Sequence, residues 1–139
     1  MIADDTTTQF FRLIHHRQIS ILIDLIDTRY QREDGTYGSE FNSDWTETPP
    51  DEKNLTETCN QLHVLEALSQ LYLIDPSQAT ANKMVGIIDL FLVHIFPASH
   101  HLSLKFDRNW QVTSAQRSFG HNMEAPWLVA FACSLLNDK

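Results

Sequence analysis

The chain has 139 residues, enough for one domain with a real core, and its 42% hydrophobic and 20% charged content exclude general disorder. A formal net charge of −8 argues against nucleic acid and anionic membrane as partners. The longest apolar run, Gly86 to Phe96, is too short to span a bilayer and contains Asp89.

Cys59 and Cys133 are the only cysteines and have neither zinc nor redox spacing, so they read as reduced thiols of a cytoplasmic protein. The opening residues, Met-Ile-Ala-Asp-Asp, place acids where a signal peptide carries bases. Residues 1–8 are polar and read as frayed. From about Gln9 to Tyr30 apolar residues are dense, charges interrupt them at helix-like intervals, and Gly and Pro are absent. This predicts a long helix, with a strand as the alternative for Ile19–Ile23 because of its β-branched content.

Asp34-Gly35 ends that helix, and the alternation through Tyr37 and Phe41, followed by the turn residues Asn42-Ser43-Asp44 before Trp45, predicts a short hairpin. Residues 46–54 hold Pro49-Pro50 and three acids and read as an exposed loop. A second helix is predicted from about Thr56 or Glu57 to Leu73, with Thr56 as N-cap and Leu62, Leu65, Leu68 and Tyr72 as its apolar stripe. Asp75-Pro76-Ser77 separates it from a third, about Ser77 to Phe96, with Met84, Ile87, Ile88, Phe91 and Ile95 facing in. Leu102–Phe106 alternates like a strand, Asp107-Arg108-Asn109 turns the chain, and Trp110–Thr113 can return as a second hairpin arm. The last helix is predicted over about Asn122–Asn137. Gly120 permits a sharp turn before it, and Pro126 belongs in a first turn. Trp127 to Leu136 reads as ordinary core. The pattern is all-α: four main helices, with short β-hairpins after the first and third, in a two-fold repeat.

Seven histidines could carry chemistry. The adjacent pairs His15-His16 and His100-His101 point in different directions in regular structure and read as surface residues. His94 lies among apolar residues and reads as a hydrogen-bonded core histidine. His63 and His121 differ, because each begins a His-x-x-Glu: His63-Val64-Leu65-Glu66 and His121-Asn122-Met123-Glu124. That spacing puts base and carboxylate on one helix face, where the carboxylate can orient the imidazole and stabilise its charged form. Alone, each pair is as well read as a solvated surface pair. Two copies at equivalent places in the repeat favour the chemical reading. Paired Glu-x-x-His motifs hold di-iron in helical bundles, but here the order is reversed and bridging glutamates are not evident, so no metal is expected.

Ser118-Phe119-Gly120-His121-Asn122-Met123-Glu124, followed by Trp127-Leu128, resembles a Ser-Tyr-Gly-His-Asp-Ile-Glu-x-x-Trp-Leu signature. That signature marks the N-acylglucosamine 2-epimerase / cellobiose 2-epimerase family. Leu62-His63-Val64-Leu65-Glu66-Ala67 is similar to the family's Leu-His-Leu-Leu-Glu-Ala segment. Phe106-Asp107-Arg108-Asn109-Trp110 is similar to its Phe-Asp-x-x-Trp hairpin, and Asp34–Gly38 with Asp44-Trp45 to an earlier one.

The resemblance implies part of an (α/α)6 barrel and a reaction that interconverts sugars at C2, or aldose and ketose. A histidine removes the C2 proton to form a cis-enediolate. His121 is then one acid/base histidine, Glu124 its orienting carboxylate, and His63 the sugar contact that assists ring opening. Asn60, Trp110 and Trp127 are the implied substrate-binding residues, and no cofactor is implied. The implied partner is a mono- or disaccharide.

The family has an asparagine four positions before the His63 equivalent. Here that position is Cys59, with Asn60 one place later. Pro126 also replaces a small residue of the signature helix. Four helices take 139 residues, so twelve need roughly three times as many. The chain therefore reads as one domain, a fragment from the middle of a barrel. The second acid/base histidine and a substrate-binding arginine are expected outside it. Such a piece exposes apolar flanks, which predicts self-association or pairing with a complementary barrel fragment. The alternative is a non-catalytic remnant with at most carbohydrate binding.

Overall fold

The computed structural model describes residues 18–19, 21–49, 55–97 and 101–137. Residues 1–17 (with the expected helix start and the His15-His16 pair), Pro50–Asn54 of the expected loop, and His100 lie outside them.

Four helical segments carry the described fold. The first, α1 (21–30), ends in a π turn over Ile26–Tyr30; Ile19 and residues 21–23 are helical, which answers the strand alternative there. It is followed by α2 (Thr58–Ile74), α3 (Gln78–Leu90, continued by a π turn over Phe91–Ile95) and α4 (Phe119–Asn137). A two-stranded antiparallel sheet pairs β1 (Thr56–Glu57) with β2 (Lys105–Phe106), Thr56 opposite Phe106.

The helical periods predicted from sequence hold. Leu62, Leu65, Leu68 and Tyr72 are buried, and so are Met84, Ile87, Ile88, Phe91 and Ile95. The α2 helix packs against both α3 and α4, and the core lies among these three. Ser77 caps α3, its Oγ accepting from the Thr80 N–H at 3.1 Å. The repeat is visible at the helix ends: α1 and α3 both finish in a π turn. The Gln31 N–H donates to Ile26 O at 3.0 Å, and the Phe96 N–H to Phe91 O at 2.9 Å.

Both expected hairpins are present as small bridged loops, Phe41 opposite Glu47 across Asn42-Ser43-Asp44 and Phe106 opposite Val112 across Asp107-Arg108-Asn109. The loop after α1 differs from expectation in holding one more, Gln31 opposite Tyr37. All three are built alike, each a four-residue turn whose last residue donates its N–H to the carbonyl of the first and lies in the left-handed region. In chain order that residue is Gly35 (φ 82°), Trp45 (φ 64°) and Trp110 (φ 59°). In each loop an aspartate side chain anchors the turn: Asp34 Oδ1 accepts from Thr36, Asp44 Oδ1 from Thr46, and Asp107 Oδ1 from Asn109 and Gln111. Gly38 has a separate reason: a Cβ there would stand 2.5 Å from Glu47 Oε1, in the ion pair Glu47 makes with Arg32.

Three expectations about helix ends are corrected. Thr56 is not the N-cap of α2 but a buried strand residue. The helix starts at Thr58, whose N–H is satisfied across the sheet by Leu104 O at 2.9 Å, so no side-chain cap is needed. Gly120 makes no sharp turn. It lies in the first turn of α4 with only Ser118 Oγ, at 3.9 Å, near where a Cβ would be. The helix begins one turn early because Ser118 Oγ accepts from the His121 N–H at 3.3 Å. Pro126 therefore sits inside α4, where its missing N–H leaves the Asn122 carbonyl without its helical partner.

Trp127 to Leu136 is not uniformly core. Ala125, Leu128, Val129 and Ala132 are buried, and α4 packs on α2 there. Trp127 is 61% exposed and stacks on Phe131.

Candidate active site

One buried segment sets the positions of both His-x-x-Glu motifs. Leu102, Ser103 and Phe106 are buried. The start of α2 is tied to this segment by the Thr58 hydroxyl, which donates to Ser103 O at 2.6 Å, and by an ion pair of Lys105 with Glu57 at 2.8 Å. The start of α4 is tied to it by Asn122, whose Oδ1 accepts from the Leu102 N–H at 2.8 Å. The Asn122 Nδ2 donates to Ser118 O at 2.6 Å. The two helix starts are thereby held side by side.

The consequence is that His63 of α2 and His121 of α4 face each other edge to face, ring centroids 6.1 Å apart. His63 Nδ1 lies 3.4 Å from Glu66 Oε2, and both side chains are about half exposed, 56% and 49%. Donor atoms of His63, Glu66 and Glu124 all lie within 4.8 Å of one another. Nδ1 of His121 is shielded and has no hydrogen-bond partner among the described residues, so Glu124 does not hold that nitrogen. Two imidazoles and two carboxylates thus converge from two helices. Imidazoles titrate near neutral pH, and a pair of them can take and return protons beside carboxylates that stabilise the charged form.

The other residues singled out from sequence lie in different settings. Asn60 spends its amide nitrogen on the first loop, donating to Tyr37 O at 2.8 Å and Gly38 O at 2.7 Å. Its neighbour Gln61, unremarked in the sequence, is fully buried and pairs with both backbone groups of Tyr37. The Cys59 thiol is pushed up by burial and by the nearby Glu57 charge, which keeps it protonated. Trp110 stacks on His94 with rings 4.3 Å apart and nearly parallel, so His94 is a half-buried stacking partner. Sequence spacing flagged Glu66 only as part of its own motif. Its place beside Glu124 depends on how α2 packs on α4.

No family model matches the chain. It is 34% identical over 87 residues to a cellobiose 2-epimerase of Bacteroides fragilis, covering 61% of this chain and 22% of that protein. A cellobiose 2-epimerase of Dictyoglomus turgidum is 29% identical over 117 residues, 78% of this chain and 30% of the relative. Among solved structures, cellobiose 2-epimerase from Bacillus thermoamylovorans B4167 superposes with a TM-score of 0.79 at 26% identity, over 94% of this chain and 37% of that one. The chain fits as a partial member of the N-acylglucosamine/cellobiose 2-epimerase family. A second solved relative, from Spirochaeta thermophila, agrees: TM-score 0.72, 33% identity, 82% of this chain and 30% of that one. The four helices and small sheet are part of an (α/α)6 barrel, as in these epimerases. The chain spans between 22% and 37% of the length of these relatives. No described helix is long and apolar enough to cross a membrane.

Proposed function

We propose that this chain supplies one side of a sugar 2-epimerase site, with His121 as an acid/base for the proton at C2. The observation that carries the reading is the edge-to-face placement of His63 and His121 at two adjoining helix starts, in a chain whose relatives are cellobiose 2-epimerases. His121, at the N-terminal end of α4, takes the C2 proton from the opened sugar. The electron pair left behind forms the enediolate, and the carboxylate of Glu124 stabilises the imidazolium. His63 hydrogen-bonds the ring or anomeric oxygen and assists opening. Trp110 and Trp127 offer ring faces to a sugar, whereas Asn60 acts by holding the Tyr37–Gly38 loop against α2. Neutral donors can hold the enediolate oxygens, so the reading requires no cofactor.

The partners in this reading are a mono- or disaccharide, and either a second copy of the chain or a complementary barrel segment that brings the second acid/base group. The exposed apolar row Phe119, Met123 and Trp127 on α4 supports such an association. A cytoplasmic location suits the two free thiols. A second reading, carbohydrate binding without turnover, is favoured by one feature: Glu124 lies with His63 and Glu66 and not on His121 Nδ1.

Sugar contact is tested by saturation-transfer NMR with cellobiose, glucose, mannose and N-acetylglucosamine. Contact with one or more of these, weakened about tenfold by His63→Ala, supports the assignment. A folded chain that contacts none of them overturns it.

A further inference from the structure

We infer that His63, Glu66 and Glu124 form a binding site for a divalent cation of the zinc type, and that the cation acts as an inhibitor of the sugar site. Their donor atoms lie within 4.8 Å of one another. An ion placed centrally among three such atoms stands no more than about 2.8 Å from each, against zinc–ligand distances of about 2.0–2.2 Å. Closing the gap takes less than about 1 Å per donor, and the exposed side chains of His63 and Glu66 are free to make that adjustment. The donor set is one imidazole nitrogen and two carboxylates. It suits zinc or cobalt better than calcium or magnesium, which favour oxygen alone. Two carboxylates also cancel the charge of the ion. Water completes the fourth position.

The site draws on both helices, so it exists only when α2 and α4 are packed as described. Metal binding stands on this geometry alone. Inhibition rests on the epimerase reading: a bound cation occupies the lone pair of His63 and holds the Glu124 carboxylate away from the imidazolium it serves. Glu66 has no part in the proposed proton chemistry, so it separates the two claims.

The test is titration of the folded chain with Co2+, followed by the visible bands of tetrahedral cobalt, and with Zn2+ by calorimetry. Tetrahedral bands and zinc binding that weakens about tenfold or more in Glu66→Gln and in Glu124→Gln support the site. Circular dichroism checks that both variants fold, and His94→Gln serves as an unaffected control. Absence of both signals, or zinc binding unchanged in the two glutamate variants, overturns the site and leaves the epimerase reading untouched. Zinc that binds without displacing a bound sugar overturns the inhibition.

Discussion

The side-chain amide of Gln61 replaces a strand for Tyr37: its Oε1 accepts from the Tyr37 N–H and its Nε2 donates to the Tyr37 carbonyl, both at 2.9 Å. Gln61 and Tyr37 are both buried, so water cannot take over either bond. Gln61→Leu keeps the volume and strands the Tyr37 N–H, at about 1–3 kcal/mol for a buried unpaired group, while the Tyr37 carbonyl keeps its bond from Asn60 Nδ2. The expected loss of stability is therefore about 1–3 kcal/mol, read from urea unfolding. Gln61 lies two residues before His63, so the same bond fixes the first loop against the candidate site. A loss below about 1 kcal/mol would show that the loop finds other partners.

Tyr37 itself carries a liability. Its hydroxyl is buried without a hydrogen-bond partner among the described residues. Burial, and then the Asp27 carboxylate, pushes the phenol up to about 12 from its ordinary 10.0. The folded chain thus keeps the proton where the unfolded chain releases it. The contribution is intact below pH 10 and is lost as pH rises toward about 12. Tyr37→Phe is expected to stabilise the chain by about 1–2 kcal/mol at neutral pH and to remove that part of the alkaline loss. Unfolding midpoints at pH 7 and in the alkaline range check both. Destabilisation at neutral pH would mean that the hydroxyl has a partner in solution.

The faces of α2 and α3 were legible because their core residues keep a 3.6-residue period, and Ser77 because serine is a strong cap. The three left-handed turn positions were legible only at Gly35. Trp45 and Trp110 fill the same slot with a residue that disfavours it, so composition hid the repetition. The pairing of β1 with β2 joins two residues to two others far along the chain and has no period to read. The start of α4 was misplaced because Gly120 and Pro126 look like boundaries, while the Ser118 cap overrides both. Of the site, the spacing within each His-x-x-Glu could be read. The way the two motifs meet could not, because it depends on Asn122 and Thr58 anchoring to one buried segment.

That anchoring gives a third prediction. Asn122→Ala leaves the Leu102 N–H without its acceptor and frees the first turn of α4. A loss of about 1–3 kcal/mol is expected by urea unfolding. The His63 and His121 ring signals should shift together in NMR spectra, because both helix starts share the segment. A stability loss with unmoved histidine signals would place Asn122 outside the support of the site.

Association of the chain is predicted from α4. Phe119 is 89% exposed, Met123 79% and Trp127 61%, and at spacings of four they form one row. Sedimentation velocity should find dimers or larger species that dissociate in Met123→Glu. A clean monomer across the accessible concentration range would contradict it.

The most direct measurement is exchange of the sugar C2 hydrogen in heavy water, with mannose, glucose, cellobiose and N-acetylglucosamine, followed by NMR. The account predicts loss of the H2 signal in one or more of these sugars, abolished in His121→Ala. A folded chain that exchanges none, or exchange that persists in His121→Ala, would contradict the role given to His121.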